Sequence, residues 1–524
     1  MKHTLRTILA LCLTVITAFC MSGSVFAATV TVKDSNGNTY TAAKVLEATE
    51  TGTNAYTYKA TNDFDGFFGN EDYGNYTLSD RGEIKDATGK VISGGSLAYD
   101  KENYDRSSDQ ATLASYLQAY AQAKKITGTE IKSGTTDLGN GFYLVRETAS
   151  GDKNSKEVAS KPALVSVTSK TEAVTITPKN DEVDLEKKIV ENSKLVDAND
   201  VNVGDTVNYQ ISTHFPTYDI MASEKLDKDS VVFILTDNFS KGLTYDEKSL
   251  AIKGFKAGED YTATYADGKL TIEFKDETIR NHQGQAVVAT YTAVLNKDAV
   301  VNSTDGNPND VTLEYTNNPN ELNKHKTLTD EVKTFTYGFE IKKVDIDNIT
   351  EDLAGAEFVV YDKDGKTPIA HIKYDKDGKP EVVDSTKETT VKGDTIKFNG
   401  LDEGEYIIQE TNAPEGYSLL GEGIKVTITA DKEDGNLTGT ATITADGNGV
   451  IDKSKDQGIN DNNVKIENKD GAIHAIVTIG DKKGVSLPET GSKNAMRLMI
   501  GGGAVILLGL LYYGISRRRE REAE

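Results

Sequence analysis

Few of the side chains that ordinarily carry chemistry are placed here to use it. The six histidines are scattered, and no HExxH, no CxxC and no cluster of His with Asp or Glu at ligand spacing occurs, so neither a metal site nor a cofactor is expected. Ser, His and Asp are all present without a GxSxG or comparable nucleophile setting, which makes an exported enzyme the weakest functional reading. "DKDGK" occurs at 362–366 and again at 375–379. It is half a calcium loop without the later acidic ligand, and it reads as a hairpin turn. What remains is a set of lysines in apolar phase. In "VDLEKKIV", Lys187 shares parity with Leu185 and Ile189, while Lys188 falls with Asp184 and Glu186; in "FEIKKVD", Lys343 shares parity with Phe339 and Ile341, while Lys342 points out. A strand that buries its apolar face takes such a lysine in with it. Desolvation then lowers the amine pKa and raises that of a neighbouring carboxyl, the condition under which a lysine becomes a nucleophile.

Strands must hold these groups, and the sequence supplies them. Stretches such as "KLTIEFKD", "GEYIIQE" and "IKVTITAD" are short, alternating and rich in Val, Ile, Thr and Tyr, with Gly, Asn and Asp turns between them. This predicts an all-β chain of tandem immunoglobulin-like β-sandwich domains. One helix is expected over 108–125, where Leu113, Tyr116, Leu117 and Tyr120 recur at helical spacing. Length and polar breaks near 175–184 and 325–335 divide the chain into domains over 28–180, 181–332 and 333–486.

The two ends differ from this body. Lys2 and Arg6 precede an apolar run over 8–19, and "VFA" ends at Ala27, so residues 1–27 read as a secretory signal peptide. Residues 498–516 are uncharged and about the length of a membrane span, and Arg517, Arg518 and Arg519 follow. Both cysteines, Cys12 and Cys20, lie in the signal peptide, which leaves an exported chain without disulfides. A formal net charge of −23 disfavours nucleic acid as a partner.

Leu487, Pro488, Glu489, Thr490 and Gly491, followed by the apolar run and the arginines, resemble the LPxTG sorting signal of Gram-positive surface proteins. The resemblance implies that a sortase cysteine attacks the Thr490 carbonyl, releases Gly491 onward and passes the acyl group to an amine. "VTITPKN" (174–180) resembles the pilin motif of SpaA-type backbone pilins, with Lys179 as the acceptor; Thr177 stands where that motif usually has Tyr. "GEYIIQETNAPEGYSLL" resembles the E-box of the same pilins and offers Glu410, within a Cna B-like domain that opens at "FEIKKVD" and closes at "VKIENKDG".

Such domains are known for an isopeptide bond between a lysine on the first strand and an asparagine on the last. By parity the resemblance implies Lys343 to Asn468, which is in phase with Val464 and Ile466, with Glu410 as the promoting acid. In the middle domain it implies Lys187 to Asn317, in phase with Val311, Leu313 and Tyr315, with Asp237 of "FILTDNFSKGLTYD" as the acid. "GFYLVRETAS" echoes the E-box in the first domain and offers Glu147, with Lys44 and Asn180 as the partners. Some relatives have a bond in this domain and others do not, and a surface or satisfied charge reads each of these residues equally well.

The function implied is that of a structural backbone subunit of a covalent pilus supporting adhesion, with Thr490 of one subunit joined to Lys179 of the next. The alternative is a monomeric LPxTG wall-anchored adhesin or minor pilin. Implied partners are the pilin-polymerising and housekeeping sortases, other pilin subunits, peptidoglycan and host ligands. The implied location is the cell wall, reached by secretion and a transient membrane tether.

Overall fold

The computed structural model describes residues 28–484, apart from 34–36, 53–54, 95–106, 132–133, 150–155, 169–170, 172, 179, 218–230, 319–324, 375–379, 386–388, 393–394, 448, 451–463 and 470–471. The signal-peptide reading, Lys179 and the whole sorting signal, with its membrane-length run, therefore lie outside the described residues. Two compact units divide the chain, one of residues up to Thr336 together with 432–439, the other from Tyr337 onward.

The first unit holds two sets of sheets. In the first set, Ala28–Val32 runs between Ala173–Ile176, parallel to it, and Gly134–Leu138, antiparallel to it. A second sheet runs in the order Ala163–Val167, Gly141–Ala149, Thr39–Gly52, Ala55–Ala60. Strand Gly141–Ala149 is buried on both faces. Tyr143 and Val145 join Val30, Tyr40 and Val174 in a core on one side. Phe142 and Leu144 meet Phe64, Phe67 and Tyr76 on the other side, together with Leu113, Leu117 and Tyr120 of helix Ser107–Ala123. The helix forms where the apolar spacing places it, held down by an aromatic cluster and by an ion pair from Asp109 in its first turn to Lys90 at 2.5 Å.

The second set is a sandwich of two six-stranded sheets. One runs Lys194–Val196, Leu185–Glu191, Thr206–His214, Ala286–Leu295, Leu243–Tyr245, with Ala251–Ile252 also pairing with Ala286–Leu295, and the other Ala198–Asp200, His325–Phe335, Asn307–Thr316, Phe233–Phe239, Lys269–Phe274, Tyr261–Ala266. Strict alternation builds this core: Val287, Ala289, Tyr291, Ala293 and Leu295 point in from one strand, and Phe233, Leu235, Asp237 and Phe239 from a strand of the facing sheet.

In the second unit, Tyr337–Asp345 pairs antiparallel with Thr395–Leu401 and parallel with Ala472–Asp481, whose other neighbour is Lys465–Lys469. The facing sheet includes Pro368–Tyr374, Glu357–Tyr361, Gly404–Asn412 and Ile424–Glu433. The first "DKDGK" forms the turn between two of these strands, where Asp362 N–H donates to the Thr367 carbonyl at 2.8 Å and Gly365 takes φ +64°.

Candidate crosslinking sites

At the centre of the middle sandwich Lys187 is completely buried. Its Nζ lies 2.5 Å from Asp237 Oδ2 and 2.5 Å from the Tyr291 hydroxyl, and 5.4 and 5.2 Å from the ring centroids of Tyr209 and Tyr291. Lys187, Tyr209 and Tyr291 belong to one sheet and Asp237 to the other, so the pair spans the sandwich. Burial, only partly opposed by Asp237, pulls the lysine pKa below its ordinary value.

The carboxamide beside this pair is that of Asn309, not Asn317. Asn309 is fully buried; its Nδ2 donates to Asp237 Oδ1 and, at 3.0 Å, to the Asn238 carbonyl, and its Oδ1 lies 3.1 Å from the Tyr291 hydroxyl. Parity could not separate the two asparagines, because they sit eight residues apart in the same phase. Register does. Asp237 stands opposite Val311 and Phe239 opposite Asn309, which makes Asn309 the diagonal neighbour of Asp237 on its inward face. Asn317 lies about 26 Å farther along at ~3.3 Å per residue, beyond the strand end, where its carbonyl accepts the Ala159 N–H at 2.7 Å. A third asparagine in this phase, Asn307, is occupied by backbone, its side chain bonding the Val300 N–H, the Val300 carbonyl and the Thr334 carbonyl.

The second unit brings together Lys343, Glu410 and Asp481. All three side chains are buried, with Lys343 Nζ 2.8 Å from Glu410 Oε1 and 2.5 Å from Asp481 Oδ1. Glu410 Oε2 accepts the Leu420 N–H at 2.9 Å, whereas Asp481 Oδ2 is buried without a hydrogen-bond partner. Burial raises the Glu410 pKa, and the pull of Lys343 offsets it only in part. Asn468 is not the strand-to-strand partner of Lys343. Its strand is at the sheet edge, paired through Asn468 with Ile473, and the strand beside Tyr337–Asp345 is the following one, Ala472–Asp481. "VKIENKDG" is thus the penultimate strand of the sheet. The signal for the last one was present, since Ala475, Val477, Ile479 and Asp481 alternate inward and end in the acid.

Among the described residues, the first domain brings no such set together. Lys44 stands opposite Tyr143, while Glu147 stands opposite Tyr40, four residues or about 13 Å away along the strand at ~3.3 Å per residue. The Lys44 amine turns to Glu47 at 3.2 Å and lies 5.6 Å from the Tyr143 ring. Burial opposes its charge, but Tyr143 and Glu47 outweigh burial and raise its pKa. Glu147 is buried and accepts from the Ser160 N–H at 2.9 Å and the Tyr40 hydroxyl at 3.3 Å. Asn180 donates to Glu157 at 3.3 Å. The E-box echo thus marks a buried acid serving the backbone. Among the described residues, no group of His, Cys, Asp and Glu is arranged to hold a metal ion.

Comparison with known proteins agrees with this architecture. Residues 203–319 match the Gram-positive pilin backbone subunit 2, Cna-B-like domain; residues 338–443 match a SpaA prealbumin-like fold domain; and 481–522 match the LPXTG cell wall anchor motif. The trypsin-resistant surface T6 protein of Streptococcus pyogenes serotype M6 is 27% identical over 302 residues, which cover 52% of this chain and 51% of that protein. The chain thus spans about half the length of this curated relative. The solved structure of the T6 backbone pilin of serotype M6 Streptococcus pyogenes, described as a modular three-domain structure, aligns with a TM-score of 0.51 at 17% identity, over 88% of this chain and 99% of that one. The tandem β-sandwich fold is shared.

Proposed function

We propose that this chain, which carries a Gram-positive pilin-backbone domain, a SpaA-type prealbumin-like domain and an LPXTG anchor motif, is the repeating structural subunit of a sortase-assembled pilus held at the cell wall. Three domains over 28–180, 181–332 and 333–486 form the shaft unit. Sortase breaks the Thr490–Gly491 bond and joins the Thr490 acyl group to the Lys179 amine of the next subunit, and the final subunit is passed to peptidoglycan.

The observation that carries this reading is the Lys187–Asp237–Asn309 set inside the middle sandwich, whose residues 203–319 match the pilin-backbone domain. A buried amine, a carboxylate able to take its proton and a carboxamide hydrogen-bonded to that carboxylate are the parts of an amide-forming reaction that releases ammonia. In the C-terminal domain the same reading applies to a carboxyl group: the Lys343 amine condenses with Asp481 beside Glu410, and water leaves. Each bond forms once per molecule, so this is self-modification without turnover.

The polymer is tested by an immunoblot of wall extracts boiled in detergent. Wild type is expected to give a high-mass ladder that Lys179→Ala abolishes; a single band from both would refute polymerisation through Lys179.

A further inference from the structure

We propose that Tyr291 is a further catalytic residue of the middle domain, its hydroxyl hydrogen-bonding the oxyanion that develops on Asn309 Oδ1 as the Lys187 amine adds to the carboxamide carbon. The inference rests on the crosslinking reading above and deepens it.

Three contacts converge on this one hydroxyl. It lies 3.1 Å from Asn309 Oδ1 and 2.5 Å from Lys187 Nζ, and it donates to Asp237 Oδ2. The orientation of the carboxamide follows from its neighbours: the nitrogen faces a carboxylate oxygen and a carbonyl, both acceptors, so the carbonyl oxygen is the atom turned toward Tyr291. The phenol keeps its proton, because burial and the adjacent Asp237 hold its pKa well above the ordinary value. The donor is therefore fixed where charge appears, in a site closed to water.

One hydroxyl proton serves two acceptors in succession. Before reaction it bonds the Asp237 carboxylate. When the Lys187 ammonium passes a proton to Asp237 Oδ2, that oxygen no longer needs the phenol, and the hydroxyl turns to Asn309 Oδ1. The amine then adds to the carboxamide carbon and a tetrahedral adduct forms. Collapse breaks the bond to Nδ2, which lies against the other Asp237 oxygen. Of the three ammonium protons, one stays in the new amide, one completes the departing ammonia and one remains on Asp237. Tyr291 is neither consumed nor charged at the end.

Pulse-chase labelling of the full-length chain, with mass spectrometry of the tryptic peptides carrying Lys187 and Asn309, gives the rate of crosslinking. Tyr291→Phe removes the hydroxyl but keeps the ring stacked on Tyr209, 5.4 Å away at 18°. The expected result is a fall of roughly 10²–10³-fold in rate, the usual effect of losing one oxyanion donor. Tyr209→Phe removes a hydroxyl that bonds Thr334 instead, and it is expected to crosslink at the wild-type rate. Site-specific difluorotyrosine at 291, isosteric and a stronger donor, is expected to be at least as fast as wild type and gives a second reading should Tyr291→Phe not fold. Wild-type kinetics in Tyr291→Phe, equal slowing in Tyr209→Phe, or a difluorotyrosine chain that fails to crosslink would each overturn the role of Tyr291. A wild-type chain that never yields the crosslinked peptide would instead overturn the reading on which it rests.

Discussion

Asn309→Ala removes the electrophile of the middle domain and leaves the Lys187–Asp237 pair in place. Joining residues 187 and 309 closes a loop that the chain-entropy relation makes worth about 5 kcal/mol in the unfolded state. At roughly 2–4 °C per kcal/mol for a domain of this size, the middle-domain transition should fall by about 10–20 °C. The assay is calorimetry of the full chain together with the mass of the peptides around Lys187, which should regain one ammonia. Asn317→Ala supplies the contrast. It has the same parity on the same stretch of chain but lies away from the lysine, so it should keep the ammonia deficit and most of the melting temperature. Loss of the deficit in Asn317→Ala with its retention in Asn309→Ala would refute the register argument. An unchanged mass and melting temperature in Asn309→Ala would refute the crosslink in this domain.

The C-terminal site makes a chemical prediction: wild type should lose one water there, Asp481→Asn one ammonia, and Asp481→Ala nothing, as read by accurate mass of the Lys343 peptides; ammonia loss from wild type would return the assignment to an asparagine. Lys44→Met should leave the mass deficit of the chain unchanged, since its amine is at Glu47 and not at Glu147; a deficit smaller by one leaving group would place a bond in the first domain after all. The depressed Lys187 pKa fixes a pH dependence once the bond is prevented. In Asn309→Ala the unfolded chain keeps a proton that the folded chain releases, between the depressed folded value and the ordinary 10.5. Stability from this group must therefore rise with pH through that window. Urea midpoints of Asn309→Ala minus those of Lys187→Met/Asn309→Ala, measured up to about pH 9.5, isolate it, and a difference that falls with pH would contradict the sign.

Strand parity told which lysines go inward, and Lys187 and Lys343 are where it placed them. The acids Asp237 and Glu410 also meet their lysines. What parity cannot carry is height along the strand, because every second residue satisfies it equally. Asn307, Asn309 and Asn317 are indistinguishable by phase, and only the pairing of Phe233–Phe239 with Asn307–Thr316 selects one of them. Register is set by contacts far away in sequence, so a single chain read locally does not contain it. The same gap in height separates Lys44 from Glu147, four paired positions apart on neighbouring strands. Asn468 stands apart from Lys343 for a different reason. A further strand, Ala472–Asp481, follows "VKIENKDG", and it is the parallel neighbour that brings a carboxyl, not a carboxamide, to Lys343.

These placements determine where tension would go within each domain. With Lys343 joined to Asp481, the bond sits at the end of the strand from which the chain leaves for the sorting signal, so a pull on that side loads the amide directly. With Lys187 joined to Asn309, the chain still has residues 310–336 to run beyond the bond. Strand His325–Phe335 folds back antiparallel on Asn307–Thr316, with Thr334 beside Asn307. A pull at residue 336 therefore opens that ladder from its Thr334 end, one hydrogen-bonded pair at a time, until Asn309 stops it. The parallel pairing of Ala198–Asp200 with Lys333–Phe335 resists the first step. The middle domain should accordingly yield a bounded extension, on the order of 90 Å for 27 residues at about 3.4 Å each, where the C-terminal domain yields almost none. Force spectroscopy on the full chain separates the two: a step of that size that lengthens greatly in Asn309→Ala is expected, and a middle domain that shows no step before its covalent limit would contradict this load path.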